Sequence, residues 1–215
     1  MTEEASDKRG KWEERYATRD LSQFSWLTSE LPAQLRELLQ RDDLPKGAAL
    51  DVGCGPGTMT VGLTSAFHPT VGFDIVRDAV EAARKQPVPE GARPATFLVA
   101  SAPDMPFRDG AFAFVLDRGC LHVLPGPAWA PYFDTVQRIL QPGGLFQLFA
   151  ARKAPQGFMA RAKKAIGGGG GQGSLVERIQ RMAPPSLEPL DVRALTWAEG
   201  VRRGDQAYAL FRKRA

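Results

Sequence analysis

The chain of 215 residues has only two cysteines and two histidines, and no run near the roughly 20 apolar residues that span a bilayer. Its start mixes Glu3, Glu4, Asp7, Lys8 and Arg9 and lacks the apolar centre of a secretion signal. These absences argue against a small disulfide-stapled scaffold and against a helical membrane protein, and predict a soluble, cytoplasmic one. Cys54 and Cys120 lie inside apolar segments rather than in a framework of spaced pairs. That favours a reducing compartment, although two cysteines can still pair. Charge of one sign is scarce too, with 28 Lys and Arg against 24 Asp and Glu. What is plentiful is apolar: 43% of the residues are hydrophobic, enough for one α/β domain whose core needs neither disulfide nor metal.

The small positive excess is unevenly spread. Between residues 152 and 164 stand Arg152, Lys153, Arg161, Lys163 and Lys164 with no acid, and Arg212, Lys213 and Arg214 sit near the C-terminus. Such a stretch serves nucleic acid or an anionic substrate, or is simply a solvated face.

Residues 11–41 read as helical and precede any strand, with Leu31, Leu35, Leu38 and Leu39 on one amphipathic stripe. Trp12, Tyr16, Phe24 and Trp26 concentrate four aromatics in 15 residues of this extension. From Pro45 and Gly47 onward, apolar runs at 48–52, 70–73, 95–99, 112–116 and 145–150 alternate with helical patterns at 58–67, 76–85 and 128–140. Continuous apolar strands alternating with helices predict a parallel sheet covered on both faces. Residues 153–166 read as a basic helix and 167–171 as a five-glycine run that resists ordering. Residues 187–196 and 206–213 read as two closing strands with a turn near Gly204. The organisation is thus a helical extension or lid at 1–44 and a main domain at 45–215, with a flexible glycine-rich loop near 167–173.

The strongest local signal is Asp51-Val52-Gly53-Cys54-Gly55-Pro56-Gly57, which follows a strand and opens a helix. Glycines there let a ligand approach the turn closely. Asp74 ends the second strand 17 residues after Gly57, where a carboxylate accepts both hydroxyls of an adenosine ribose. Dinucleotide enzymes space their glycines G-x-G-x-x-G so that a helix N-terminus holds a pyrophosphate. Here the glycines fall at 53, 55 and 57 with Asp51 beside them, an acid that repels a diphosphate and suits an ammonium and a sulfonium.

The segments ALDVGCGPG, VGFD, MPF-RDGAF-FVLD and LQPGG together resemble the successive motifs of the class I S-adenosylmethionine-dependent methyltransferases, over residues 45–152. The resemblance implies a Rossmann-like α/β sandwich with a seven-stranded, mostly parallel sheet ordered 3-2-1-4-5-7-6 and an antiparallel last strand. It implies S-adenosyl-L-methionine as cofactor. Asp51, Gly53, Cys54, Gly55 and Gly57 would lie along its methionine part, Asp74 would hold the ribose and Ile75 would pack on the adenine. The acid usual near the adenine amine is replaced by Ala100-Ser101-Ala102, so Ser101 and Ala102 would take that place.

Asp117-Arg118-Gly119-Cys120-Leu121-His122, with WEERY at 12–16 and FSW after it, is similar to small-molecule methyltransferases acting on thiols, thiopurines or tellurite. The predicted activity is therefore methyl transfer to a small molecule, preferably a thiol or other soft nucleophile. A natural-product hydroxyl, RNA or DNA, and a non-catalytic regulatory role are the alternatives. His122 is the candidate base, against a purely structural role, while His68 lies beyond a helix on the far side. Asp117 is expected to position the cofactor ammonium or the acceptor, and Cys120 to be a small core residue. Trp12 and Tyr16 either close over the cofactor or only pack their helix on the sheet. A monomer or homodimer fits equally.

Overall fold

The computed structural model describes residues 3–18, 30–102, 105–152, 174–196 and 205–215. Two N-terminal helices, α1 (Glu3–Thr18) and α2 (Ala33–Leu39), precede β1 (Ala49–Val52). There follow α3 (Thr58–Leu63), β2 (Thr70–Asp74), α4 (Arg77–Ala83), β3 (Thr96–Val99) and β4 (Phe112–Arg118). The chain continues through α5 (Trp129–Ile139), β5 (Leu140–Arg152), α6 (Leu175–Met182), β6 (Leu187–Ala194) and β7 (Asp205–Lys213). The sheet has seven strands in the order β3-β2-β1-β4-β5-β7-β6, as expected. The first five are parallel, and β7 runs antiparallel to both β5 and β6. Among the described residues no helix is long and apolar enough to cross a membrane.

This order places β1 between β2 and β4, so the connections leave it in opposite directions. Ligands bind in the crevice that opens outside the carboxyl ends of strands at such a switch point. Register fixes what lines it: Val52 pairs with Phe73 and with Asp117, and Asp74 pairs with Val99. Asp51, Asp74 and Asp117 thus stand at the carboxyl ends of three adjacent strands.

Both faces of the sheet are covered. On one, Leu35 and Leu38 of α2 join Met59, Leu63, Phe114, Leu116 and Leu145 in a buried cluster. The leucine stripe read from the sequence is therefore the docking face of α2. On the other face, α5 and α6 pack over Leu50, Val115, Phe146 and Phe211. Phe133 meets Phe146 edge-on at 6.0 Å between ring centroids and Phe211 at 6.3 Å. Edge-to-face contact is preferred because a positive ring edge meets a negative face. This aromatic floor supports the end of the sheet that carries the site.

Three expectations need correcting. Of residues 11–41, 11–18 and 33–39 are helical as read, 30–32 and 40–41 are not, and 19–29 lie outside the described residues. The fifth strand begins at Leu140 rather than 145, running through Pro142-Gly143-Gly144. It can do so because the β4–β5 pairing shifts register there, with Phe112 opposite Leu140 but Phe114 opposite Leu145. α6 was not expected; it starts with a capping box in which the Ser174 hydroxyl accepts from the Glu177 amide and the Glu177 carboxylate from the Ser174 amide. The basic helix at 153–166, the glycine run at 167–171, Phe24, Trp26 and the turn near Gly204 lie outside the described residues.

Leu35 is completely buried. Leu35→Ala is expected to lower unfolding free energy by about 2–5 kcal/mol, measured by urea denaturation, with an unchanged slope.

Candidate functional site

The glycine loop leaves β1 through three residues in the left-handed region: Gly53 at φ +68°, Gly55 at +52° and Gly57 at +86°. A Cβ on Gly53 would come within 2.9 Å of the Cys120 Cβ. One on Gly57 would come within 2.9 Å of the Ala83 Cβ and 3.0 Å of the Phe97 ring. Two of the glycines are therefore required by the protein's own packing: the turn is pressed against the β4–α5 connection on one side and against α4 and β3 on the other. The Gly55 amide donates to Asp74 Oδ2 at 3.0 Å.

That bond joins the two halves of the predicted cofactor site. Asp74 Oδ1 also accepts from the Val76 amide at 2.9 Å, so each carboxylate oxygen is held by a backbone donor. Burial raises its pKa, and the backbone bonds from Val76, Gly55 and Ile75 counteract this. Ile75 follows directly and is half-buried. The Ala100 amide donates to the Asp74 carbonyl at 3.0 Å, which brings the Ala100-Ser101-Ala102 segment alongside. The Ser101 hydroxyl donates to the Ala102 carbonyl at 3.2 Å.

Asp51 is 2% exposed, and its Oδ2 accepts from the Thr60 hydroxyl at 2.6 Å. Burial pushes its pKa up to about 7, opposed by the Thr60 bond and reinforced by the charge of Asp117. Cys54 is buried, which raises its thiol pKa. Tyr16 of α1 is mostly buried, and that burial together with the nearby Asp74 charge raises its phenol pKa. α1 packs beside α4, so Tyr16 reaches the glycine-loop edge of the sheet. Trp12, one turn earlier, is half-buried with the Arg15 guanidinium 4.7 Å from its ring centre.

On the β4 side Asp117 is wholly buried. Its Oδ1 accepts from the Gly119 and Cys120 amides at 2.9 and 2.7 Å. Its Oδ2 accepts from the Leu121 amide at 2.8 Å and from the Tyr132 hydroxyl at 2.6 Å. Four donors saturate the lone pairs of a carboxylate. Contact between Asp117 and a ligand, as the sequence led us to expect, would require this turn to rearrange. Burial lifts its pKa to about 6, with all four bonds pulling the other way. The turn it holds carries Cys120, half-buried against Gly53, and His122. His122 Nδ1 accepts from the Ala151 amide at 3.3 Å, which assigns the neutral ring its Nε2–H tautomer. His68 leads into the opposite, amino end of β2. Among the described residues no cluster of His, Cys, Asp and Glu could hold a metal.

This edge thus sets the partly exposed Asp74 beside a close-packed glycine turn, with Asp51 and Asp117 buried behind them, an acidic surrounding that suits a cationic ligand better than a diphosphate. A family profile described as a methyltransferase domain matches residues 49–144. A 2-heptyl-1-hydroxyquinolin-4(1H)-one methyltransferase of Mycobacteroides abscessus is 26% identical over 159 residues, which is 72% of this chain and 68% of that protein. The profile match and the fold together support a class I S-adenosylmethionine-dependent methyltransferase. Solved methyltransferase-fold structures agree on the fold. The structure reported for conversion of a disulfide bond into a thioacetal group in echinomycin biosynthesis superposes with a TM-score of 0.70 at 19% identity, over 96% of this chain and 93% of the other. Geranyl diphosphate C-methyltransferase from Streptomyces coelicolor, solved with S-adenosyl-L-homocysteine, gives 0.59 at 18% identity, over 85% and 77%.

Three groups of this methyltransferase site escaped the sequence: Thr60, Tyr132 and the Ala151 amide. Thr60 lies on α3, 9 residues beyond its partner, and Tyr132 lies 15 residues beyond Asp117. No local pattern marks either pairing.

Asp51 binds its proton more tightly in the folded protein, at about 7 against an ordinary 3.8, than in the unfolded chain. Stability from this group is therefore lost as pH rises between those values and recovered as pH falls. Asp51→Asn is expected to raise the melting temperature at pH 7.5, with the gain over the parent shrinking toward pH 4 in thermal unfolding scans.

Proposed function

We propose that the protein transfers the methyl group of S-adenosylmethionine to a small molecule bearing a soft nucleophile, a thiol by preference. The cofactor supplies a methyl group already activated on a sulfonium, so the protein's task is alignment and exclusion of water. Asp74 and Gly55 would grip the ribose side, Asp51 would offset the positive tail, and Ile75, Ser101 and Ala102 would line the adenine. Trp12 and Tyr16 would roof the cleft, a reading supported by the burial of Tyr16 beside Asp74.

The observation that carries the acceptor class is the engagement of the candidate bases among the described residues at this edge. Asp117 holds four donors, Asp51 holds Thr60, and His122 Nδ1 takes the Ala151 amide. An acceptor that ionises easily suits such a site, since a thiol has a pKa near 8.5 and an aliphatic hydroxyl requires strong help. An acidic hydroxyl is the second reading. It is favoured by the hydroxyquinolone methyltransferase among the relatives.

The test is release of S-adenosylhomocysteine across a panel of thiols, acidic phenols and N-hydroxy compounds, amines and tRNA. Turnover confined to amines or tRNA would overturn the proposal. His122→Ala is expected to cost less than about tenfold in turnover, whereas a loss of about a hundredfold or more would assign a general base and an alcohol acceptor. Asp74→Ala is expected to weaken S-adenosylhomocysteine binding by about a hundredfold by titration calorimetry, as two charge-assisted hydrogen bonds are lost.

A further inference from the structure

Tyr132 lies on α5, one layer beneath the crevice, with no exposed surface of its own. Its ring packs edge-on against Phe133 at 6.2 Å and tilts against Phe146 at 6.5 Å, so the aromatic floor fixes its position. Its hydroxyl makes the shortest of the four bonds to Asp117, at 2.6 Å. The other three come from consecutive amides, Gly119, Cys120 and Leu121. Only an ionised carboxylate accepts all four at once.

The turn so held has two outputs. Cys120 forms the wall against which Gly53 of the cofactor loop is pressed, and His122 stands two residues further on with its ring against the Ala151 amide of β5. One carboxylate therefore sets both the cofactor side and the acceptor side. One side chain from another element reaches that carboxylate by a hydrogen bond among the described residues.

We propose that Tyr132 is a positioning residue of the methyltransferase site, acting through Asp117 to hold the turn that backs Gly53 and orients His122. The proposal rests on the cofactor reading above. Asp117 carries a pKa lifted to about 6 by burial, and the Tyr132 bond is the largest influence holding it down. Among the described residues the ionisable groups acting on this pair are Asp51 on β1 and Cys120 in the turn after β4, with Asp74 on β2 and Arg118 at the end of β4 acting on those two in turn. Charge from Asp117 and Asp51 acts on both Tyr132 and Cys120, Asp74 acts on Cys120, and Arg118 offsets Asp51. All of these remain when the Tyr132 hydroxyl is removed, so the difference between parent and variant isolates that one bond.

The experiment is S-adenosylhomocysteine binding by titration calorimetry from pH 5 to 8.5, on the full chain and on Tyr132→Phe. Loss of the phenol donor is expected to move the acid limb of affinity upward by about one pH unit, a tenfold change in proton affinity. The same substitution made on Asp117→Asn is expected to have no further effect on that limb. An acid limb that coincides in parent and variant, or a shift that persists on Asp117→Asn, overturns the proposal. A purely structural role would lower thermal stability and leave the limb in place.

A second measurement does not depend on cofactor binding. The chain has only two histidines, so the nitrogen resonances of His122 are readily separated from those of His68. At pH 7.5 the Nε2–H tautomer is expected in the parent, and a mixture of tautomers in Tyr132→Phe. Identical spectra would refute the positioning role even if S-adenosylhomocysteine failed to bind either protein, a failure that would instead count against the proposed function. Should Tyr132→Phe not fold, a difluorinated tyrosine at position 132 keeps the shape and strengthens the donor. The acid limb is then expected to move downward, and an upward or absent shift counts against the proposal.

Discussion

The carboxylate of Asp117 is the interaction on which the working edge of this protein depends. It sits where β4 ends, completely removed from water, and ties three consecutive amides and one phenol into a single unit. Taking a carboxylate out of water is expensive unless its lone pairs are matched, and here every one is. The result is a rigid turn at the point where the sheet changes direction. A methyltransferase needs that rigidity, because displacement at a methyl carbon rewards alignment of two partners far more than any push from a base.

Rigidity at this edge has an electrostatic consequence. Asp51, Asp74 and Asp117 are all shifted toward neutrality by burial. Burial thus makes their ionisation costly, and a ligand bearing positive charge would relieve that cost where a diphosphate would add to it. The glycine loop also serves the packing of the protein itself. At Gly53 and Gly57 the space beside the backbone is taken by Cys120, Ala83 and Phe97, so these glycines serve the close contact of the loop with the turns around it. The cofactor site and the acceptor turn are in consequence mechanically joined through Gly53 and Cys120.

Much of this was legible in the linear pattern. Five apolar strands, the helices between them and the two closing strands could be read because parallel strands buried on both faces are continuously apolar. Asp51, the glycines and Asp74 were legible because a loop that leaves a strand at φ above zero accepts little besides glycine, and the acid follows at a fixed strand-to-strand distance. The start of β5 was misplaced because Pro142 and Gly143 signal a turn in sequence, whereas in the sheet the irregular β4–β5 register absorbs them. α6 is marked in the sequence only by Ser174 and Glu177, which spell a capping box, and by Leu175 and Ile179 on its buried face, a signal short enough to be lost beside the basic and glycine-rich stretch before it. The partners of Asp117 were not legible, since Tyr132 lies on α5, 15 residues beyond it.

By itself the sequence determined the strand and helix periodicities, the acidic glycine turn and hence the cofactor class, because each of these is a short-range demand of backbone geometry and charge. Only the tertiary structure decided which carboxylates face outward and which are consumed as anchors. It also decided which ring nitrogen of His122 carries the proton and which residues press the glycine loop into place. Those properties arise from contacts between elements distant along the chain, where packing, and not local spacing, selects the partner.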